Sequence, residues 1–378
     1  MTDSPVMKMW TAEPPESAVR QTLERLVRAP DVARIAVMPD VHLAAGVSNG
    51  VAVATRRLIY PAAVGGDIGC GYALVAFDGV AAPLRRRNVA EAVLEAFPHA
   101  VPVMRHRRRD GLPEFTEAFS PESLSAPELF AQAAGDGRLE LGTLGRGNHF
   151  LEFQEADDGR LWLMVHSGSR AMGQHVAAFH TSRATSAGGG LAWLDAETEP
   201  GQAYLRDVAW ARAYAAESRR RMLAAAADVV ANVLVIQADW TTLLNTDHNH
   251  IQRERIGSDE FWVHRKGANR AADGVLNVIP GSMATTTYHV VGHGNVDSLL
   301  SSSHGAGRRL SRSAARARIR RSDLARQLAD VWIDPRCVPR LAEEAPAAYK
   351  DVDAVMRAQR DLVKIARRLR PVVCYKGV

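Results

Sequence analysis

Two apolar rhythms alternate along the chain. Apolar residues recur every three to four positions over 16–28 (ESAVRQTLERLVR), which predicts a helix. The same spacing predicts helices over 86–97 and 126–134, a long Ala- and Arg-rich helix over 202–232, and helical segments near 310–329 and 351–369. Short apolar runs ending in turn residues predict strands over 33–39 (ARIAVMP) and 50–60 (GVAVATRRLIY). Residues 149–167 read as a hairpin, with HFLEFQ and LWLMVHS on either side of the turn Ala156-Asp157-Asp158-Gly159. A second loop-and-strand half runs from about 244 to 307, and 104–112 (MRHRRRDGL) reads as a basic loop. No repeat, low-complexity tract or Ser/Pro-rich linker marks a boundary. The expectation is one large mixed α/β domain over residues 1–378.

Composition narrows the class. Hydrophobic content of 47% and charged content of 24% exclude a disordered, collagen-like or coiled-coil chain. The most apolar run, Leu223 to Ile236, is broken by Asp228 and Asn232, short of the roughly 18 apolar residues of a membrane span. The N-terminus, MTDSPVMKMW, lacks the basic-then-apolar pattern of a secretory signal. Three cysteines, Cys70, Cys337 and Cys374, cannot form a disulfide framework. A cytoplasmic protein with no membrane partner is expected. The 47 Lys+Arg exceed the 42 Asp+Glu, for a net charge of +5. Most of that positive charge is arginine, which grips phosphate in two-pronged geometry.

The polar residues of chemical interest fall in glycine-rich turns between apolar strands, where bare backbone can approach a ligand. Asp67 and Cys70 share the turn Val64-Gly-Gly-Asp-Ile-Gly-Cys-Gly71. Such a pair can hold one metal, or two if the thiolate bridges; a capping Asp beside an inert buried Cys explains the turn as well. LGTLGRGNHFLE, 141–152, contains Asn148 and His149, and strand alternation puts Asn148 and Glu152 on one face. His166-Ser-Gly-Ser-Arg170 ends an apolar strand, and Asp247-His248-Asn249-His250 is followed by Glu254. Ile279-Pro-Gly-Ser-Met283 precedes Thr287, and Ser303-His304-Gly-Ala-Gly-Arg308 precedes Ser311 and Arg312. Three imidazoles, a thiol and a carboxylate suffice for two metal ions about 3.5–4 Å apart. Ligand softness alone points to zinc, and the glycine turns suit a nucleotide or polyphosphate. No Gly-x-x-x-x-Gly-Lys-Ser/Thr loop and no Lys-x-Asp-Gly occurs, which disfavours a P-loop enzyme and a lysine-nucleotidyl ligase.

Taken in order, these turns are specific. Met38–His42 (MPDVH), Pro61–Gly71 (PAAVGGDIGCG), Gly147–Glu152 (GNHFLE), His166–Arg170 (HSGSR), His248-Asn249, Pro280–Met283 (PGSM) and His304–Arg308 (HGAGR) resemble the RtcB family of tRNA-splicing and RNA-repair ligases. The likeness runs from about residue 30 to Lys376-Gly377, and the length and DIGCG form resemble the shorter bacterial branch. The resemblance implies that family's distinctive α/β fold and a GTP- and Mn²⁺-dependent ligase. Such an enzyme joins an RNA 3′-phosphate or 2′,3′-cyclic phosphate to a 5′-hydroxyl, so its partners are GTP and RNA. Asp67, Cys70 and His149 are implied to hold one Mn²⁺, and Cys70, His166 and His248 the other, with Cys70 bridging. His304 is implied as the nucleophile that becomes guanylylated. Guanylate is implied to lie against Asn148, His149, Phe150, Leu151, Glu152, Asn249, Pro280, Gly281, Ser282, Met283, Thr287, His304, Gly305, Ala306, Gly307 and Lys376. Within that frame Glu152 would accept from guanine N–H groups, and Asp40 would orient the His304 ring.

Two departures bear on substrate preference more than on reaction type. Leu43–Gly50 (LAAGVSNG) lacks the family's more usual Pro-Ile-Gly or Thr-Ile-Gly ending, and Thr287 stands where a serine or similar small hydroxyl is expected. His175, His180, His289, His293, Cys337 and Cys374 are read as structural or incidental. His264 and Arg265 suit either a place near phosphate or the core. The runs Arg105–Arg109 and Arg308–Arg321 either track RNA or form solvated basic faces. Two functions compete with ligation. One is a dinuclear metallo-phosphoesterase that opens cyclic-phosphate RNA ends without GTP, and the other is an RNA-binding module with a vestigial site. His304 and the PGSM and HGAG turns favour the ligase, since a hydrolase needs no guanylate pocket.

Overall fold

The computed structural model describes residues 5–106, 112, 114–186 and 190–377. Two sheets organise the molecule. The smaller runs in the order Val6–Met9, Val32–His42, Asn49–Thr55, Asp259–Lys266, Asn249–Ile256. The larger runs Leu276–Pro280, Thr287–Gly292, Val363–Lys376, Phe150–Ala156, Arg160–Ser167, Gly71–Val80, Ala238–Asp247, with Trp332–Ile333 beside its C-terminal strand. Each sheet mixes strands from both halves of the sequence: Asn49–Thr55 pairs with Asp259–Lys266, and Val363–Lys376 lies between Thr287–Gly292 and Phe150–Ala156. The class is mixed α/β, as expected.

Alternation along the central strands separates core from chemistry. Leu151, Phe153, Leu163, Val165, Val75 and Phe77 turn toward the helices Arg87–Ala100 and Glu199–Leu234, where Leu94, Phe97, Met222 and Val230 complete an apolar layer. Each such side chain contributes about 1.5–3 kcal/mol by leaving water. The intervening positions Tyr72, Phe150, Glu152 and His166 turn the other way and line a cavity. The strands are thus anchored by one set of residues and armed by the other.

Most predicted elements form, and the exceptions are instructive. The helices over 16–28, 86–97 and 202–232 are Ser17–Val27, Arg87–Ala100 and Glu199–Leu234, and the 149–167 hairpin is Phe150–Ala156 with Arg160–Ser167. Residues 33–39 lie within the strand Val32–His42, and 50–60 is Asn49–Thr55 and Leu58–Ile59, parted at Arg56-Arg57. The helix expected over 126–134 is Pro127–Gln132 followed by a wider turn at Ala133–Gly137. Residues 310–329 form two short helices, Arg312–Arg318 and Arg321–Gln327. The helix expected over 351–369 is wrong in its second half. It stops at Ala358, and Val363–Lys376 is a strand whose backbone pairs on both sides. Sheet pairing overrides the local spacing of this Lys/Arg-rich segment. Residues 107–111 lie outside the described residues, so most of the 104–112 loop and of the Arg105–Arg109 run is not placed. Among the described residues no helix is long and apolar enough to cross a membrane.

Candidate active site and metal centre

Strand register sets one row of side chains across four adjacent strands. Tyr72 is opposite His166, His166 opposite Phe150, and Phe150 opposite Lys376. All four line one cavity of about 710 Å³. Glu152, one pleat further along, faces the same cavity. Turns supply the walls, including Gly65–Asp67, His248-Asn249, Pro280–Met283 and His304–Gly307.

At one wall the sulfur and nitrogen donors converge. Cys70 Sγ lies 3.3 Å from His166 Nε2 and 3.7 Å from His149 Nε2, and His149 Nε2 lies 3.0 Å from Asp67 Oδ2. The donor atoms of Cys70, His166 and His248 lie within 4.8 Å of one another, as do those of Asp67, Cys70 and His149. Backbone carbonyls fix two of the rings. His149 Nδ1–H donates to Leu144 O and His166 Nδ1–H to Asn148 O, so both Nε2 lone pairs face Cys70. His248 Nδ1 is buried with no hydrogen-bond partner. Burial, then neighbouring imidazoles, hold His166 and His248 well below the usual histidine range, in the neutral ligand form. Burial, then Asp67, pushes the Cys70 thiol up. Burial also raises Asp67, but its close neighbours His149 and then Cys70 outweigh it and hold the carboxyl below its ordinary range. A coordinated cation deprotonates a thiol outright. Two donor triads sharing one thiol, with an orphaned imidazole nitrogen beside them, fit two cations.

The ligand turns are held from behind. Arg219, buried on the long helix, donates to Gly69 O at 2.6 Å and Ser167 O at 2.9 Å, next to Cys70 and His166. Gly168 has no room for a side chain, because a Cβ there would stand 2.0 Å from Asp67 Oδ1.

His304 faces this cluster across the cavity, its ring centroid 4.7 Å from that of His248. Its Nδ1–H donates to Asp40 Oδ2 at 2.7 Å, and the same oxygen accepts from the backbone N–H of His304 at 3.0 Å and of Gly305 at 3.2 Å. Asp40 is fully buried and its Oδ1 has no partner. With Nδ1 donating, Nε2 is the unprotonated nitrogen. The Tyr72 hydroxyl donates to His304 O at 3.0 Å. Gly307, at φ +74°, lets this turn approach Asp40 O, which a Cβ would meet at 2.1 Å.

Two carboxyl groups of opposite character line the far end. Burial pushes Glu152 up to about 8, against the opposing bond from Gln154 and the charge of Lys376. Gln154 Nε2 donates to Glu152 Oε1 at 2.7 Å and to Thr287 Oγ1 at 2.9 Å. Glu344 is equally buried, but Lys376, Tyr349, Arg308 and Arg312 surround it, and they outweigh burial and hold it at about 2. Lys266, lowered to about 8 by burial, donates to Ala45 O and Val47 O and secures the 43–48 loop at the rim.

Residues 22–377 match the family model described as tRNA-splicing ligase RtcB. The chain belongs to the RtcB family. It is 36% identical to the RNA-splicing ligase RtcB of Escherichia coli K12, over 100% of this chain and 98% of that protein. It is 30% identical to the RNA-splicing ligase RtcB of Mycobacterium tuberculosis, over 90% of this chain and 96% of the relative. Against the tRNA-splicing ligase RtcB of Thermococcus kodakarensis it is 29% identical, over 90% of this chain and 87% of the relative. These agree with the resemblance carried by the seven motifs.

The structure sorts the residues that the RtcB resemblance singled out. Asp67, Cys70, Asn148, Phe150, Glu152, His166, His248, Asn249, Pro280, Gly281, Ser282, Met283, His304, Gly305, Ala306, Gly307 and Lys376 line the cavity, and His149 joins through the donor cluster. Leu151 and Thr287 do not. The Leu151 side chain turns into the core under the helices, and the Thr287 hydroxyl accepts from Gln154. Asn249 spends its amide on the scaffold, donating to Asp67 O and accepting from Gly267 N. Asp247 pairs with Arg212, and Glu254 with Arg265 and Arg270, away from the cavity. Arg265 is therefore a core residue, as is His264, which accepts from Tyr60 N. His180 pairs with Asp207, and His289 packs edge-on against Trp162. Within Arg308–Arg321, Arg308 and Arg312 turn to Glu344, while Arg316 pairs with Glu343. Gly46-Val-Ser-Asn-Gly50 has the spacing of a hydrolase elbow, yet Ser48 is fully buried with Oγ 2.6 Å from Thr22 Oγ1. Sequence reasoning missed Tyr72, Arg219, Lys266 and Glu344. Only Arg219 carried a local signal, a charge at a core-facing position between Ala215 and Met222.

Proposed function

We propose that the protein is a GTP- and manganese-dependent RNA ligase, acting as one domain in the cytoplasm. It joins an RNA 3′-phosphate, or a 2′,3′-cyclic phosphate, to a 5′-hydroxyl. One observation carries this reading: His304, with its tautomer fixed by Asp40, shares a cavity with a thiol-centred donor cluster and a polar far end that fits a nucleobase. Asp67, Cys70, His149, His166 and His248 would hold two Mn²⁺, which when bound neutralise charge on phosphate oxygens.

The chain's own residues account for the rest. His304 Nε2 attacks the α-phosphorus of GTP, so an N–P bond forms and the bond to pyrophosphate breaks. The proton on Nδ1 stays on the ring, and Asp40 stabilises the charge that develops there. The RNA 3′-phosphate then takes the guanylate, the N–P bond breaks, and the ring returns to neutral. The 5′-hydroxyl attacks the activated phosphate, and GMP leaves as the phosphodiester forms. A cyclic phosphate is first hydrolysed to the 3′-phosphate. Glu152 accepts from the guanine N–H groups.

The test is intact mass after incubation with GTP and Mn²⁺. The wild type is expected to gain one GMP and His304→Ala none, with both melting alike. Cleavage of cyclic-phosphate RNA ends with no adduct on metal-loaded wild type would replace this reading by the phosphoesterase.

A further inference from the structure

Outside the cavity lies a second concavity of about 540 Å³. It is built where the helix Val352–Ala358 runs out onto the outer face of the C-terminal strand. Arg357, Arg360, Lys364 and Arg368 line it, all exposed, against one acidic residue, Asp353. That acid is already engaged, because the Tyr288 hydroxyl donates to it. Arg357 reaches Asp351 at 3.5 Å, while Arg360, Lys364 and Arg368 have no carboxylate partner among the described residues. Net charge here is +4 − 1 = +3, more than half of the chain's formal +5. Cations gathered this closely repel one another and are steadied by a polyanion.

The same helix connects this groove to the cavity. Tyr349, just before it, lines the cavity wall, and a Cβ on Gly281 of that wall would touch Val352 at 3.1 Å. Its seven residues, at about 1.5 Å each, span about 10 Å and end at the basic groove. The segment from Pro280 to Tyr288 likewise runs from the cavity wall to the groove.

We infer that the groove formed by Arg357, Arg360, Lys364 and Arg368 is a binding track for the sugar-phosphate backbone of the RNA, a few nucleotides from its reacting end. This rests on the ligase reading for its choice of RNA as the polyanion. Contacts of this kind position a strand without reading sequence, and their signature is salt dependence.

The experiment measures binding of a 3′-phosphorylated single-stranded RNA 20-mer by fluorescence anisotropy across a salt series. It uses full-length wild type, Arg360→Glu with Lys364→Glu, and the charge-keeping Arg360→Lys with Lys364→Arg. Each lost phosphate contact lowers the slope of log K against log salt by about 0.7 for a single strand, so the reversal is expected to lower it by about 1.4. That corresponds to a roughly sevenfold smaller loss of affinity over a fourfold rise in salt. The charge-keeping pair is expected to match wild type, and GTP adduct formation to be unchanged in all three, since neither residue touches the cavity. Equal slopes and affinities for reversal and wild type, with the adduct intact, would overturn the track. Failure of wild type to form the adduct would instead count against the ligase reading, while the RNA slopes still decide the groove.

Discussion

Replacing Asp40 by asparagine is the sharpest test of how His304 is prepared. One oxygen of Asp40 accepts three N–H groups, from the ring Nδ1 and from the backbone of His304 and Gly305. Asparagine must present its oxygen to these donors, because its amide nitrogen there would face only N–H groups. The nitrogen then falls at the position of Oδ1, which is buried and has no partner. The tautomer of His304 is preserved, and the negative charge that stabilises the ring as Nε2 attacks is lost. Hydrogen bonds to a charged group are worth about 1.5–3 kcal/mol, which converts to a fall of roughly 10- to 150-fold in the guanylylation rate. The stranded amide adds about 1–3 kcal/mol of destabilisation. Single-turnover adduct formation, followed by quenched intact mass at saturating GTP, reads the rate. Thermal melting reads the fold. An Asp40→Asn protein that melts lower yet guanylylates within about twofold of wild type would show that the carboxylate only braces the turn.

Two further perturbations probe the cavity. Glu152 is pushed up to about 8 by burial, so it is protonated at neutral pH, whereas guanine N–H donors favour the ionised form. Guanosine binding should then release a proton, with Kd falling about tenfold per unit as pH rises toward 8 and levelling above it; calorimetry of wild type and Glu152→Gln checks this, and a flat wild-type profile from about pH 6 to pH 8 would refute it. Leu151→Ala should cost about 2–5 kcal/mol in denaturant unfolding, because that side chain is wholly buried in the core. It should leave the KM for GTP in adduct formation within about twofold, and a large rise would restore Leu151 to the nucleotide site.

Much of the site was legible because its residues sit in turns whose composition is forced by close approach. Gly168 against Asp67 and Gly307 against Asp40 are positions where any Cβ collides, so the glycines and the polar residues beside them form recognisable short words. The hairpin over 150–167 was legible for a different reason, since two short apolar runs flank a clear turn. What stayed hidden depends on distant partners. Glu344 reads as one of two adjacent acids in LAEEAPAAYK, and its weight comes from Arg308 and Arg312 of one distant segment and Lys376 of another. The C-terminal strand was hidden in the same way. Its Lys/Arg-rich start has helical spacing, and its conformation is decided by strands 70 to more than 200 residues away in sequence.

That strand also explains why the two carboxyl groups at the far end of the cavity differ in charge. Val363–Lys376 brings Cys374 opposite Glu152 and Lys376 opposite Phe150, so the sheet places a neutral neighbour beside one carboxyl and a cation one pleat along from it. Glu344 takes that cation directly, together with two arginines, and stays ionised; Glu152 feels it only at a distance and is neutralised by burial. If both carboxyls were ionised, Lys376, Arg308 and Arg312 would face two carboxylates and no proton would be left to release. If both were neutral, Lys376, Arg308 and Arg312 would face no carboxylate at all. With Glu344 ionised the three cations share one carboxylate partner, and on the ligase reading neutral Glu152 has one proton to release when a guanine base binds. The register of a single strand therefore contributes to both protonation states, by placing Cys374 beside Glu152 and bringing Lys376 to Glu344.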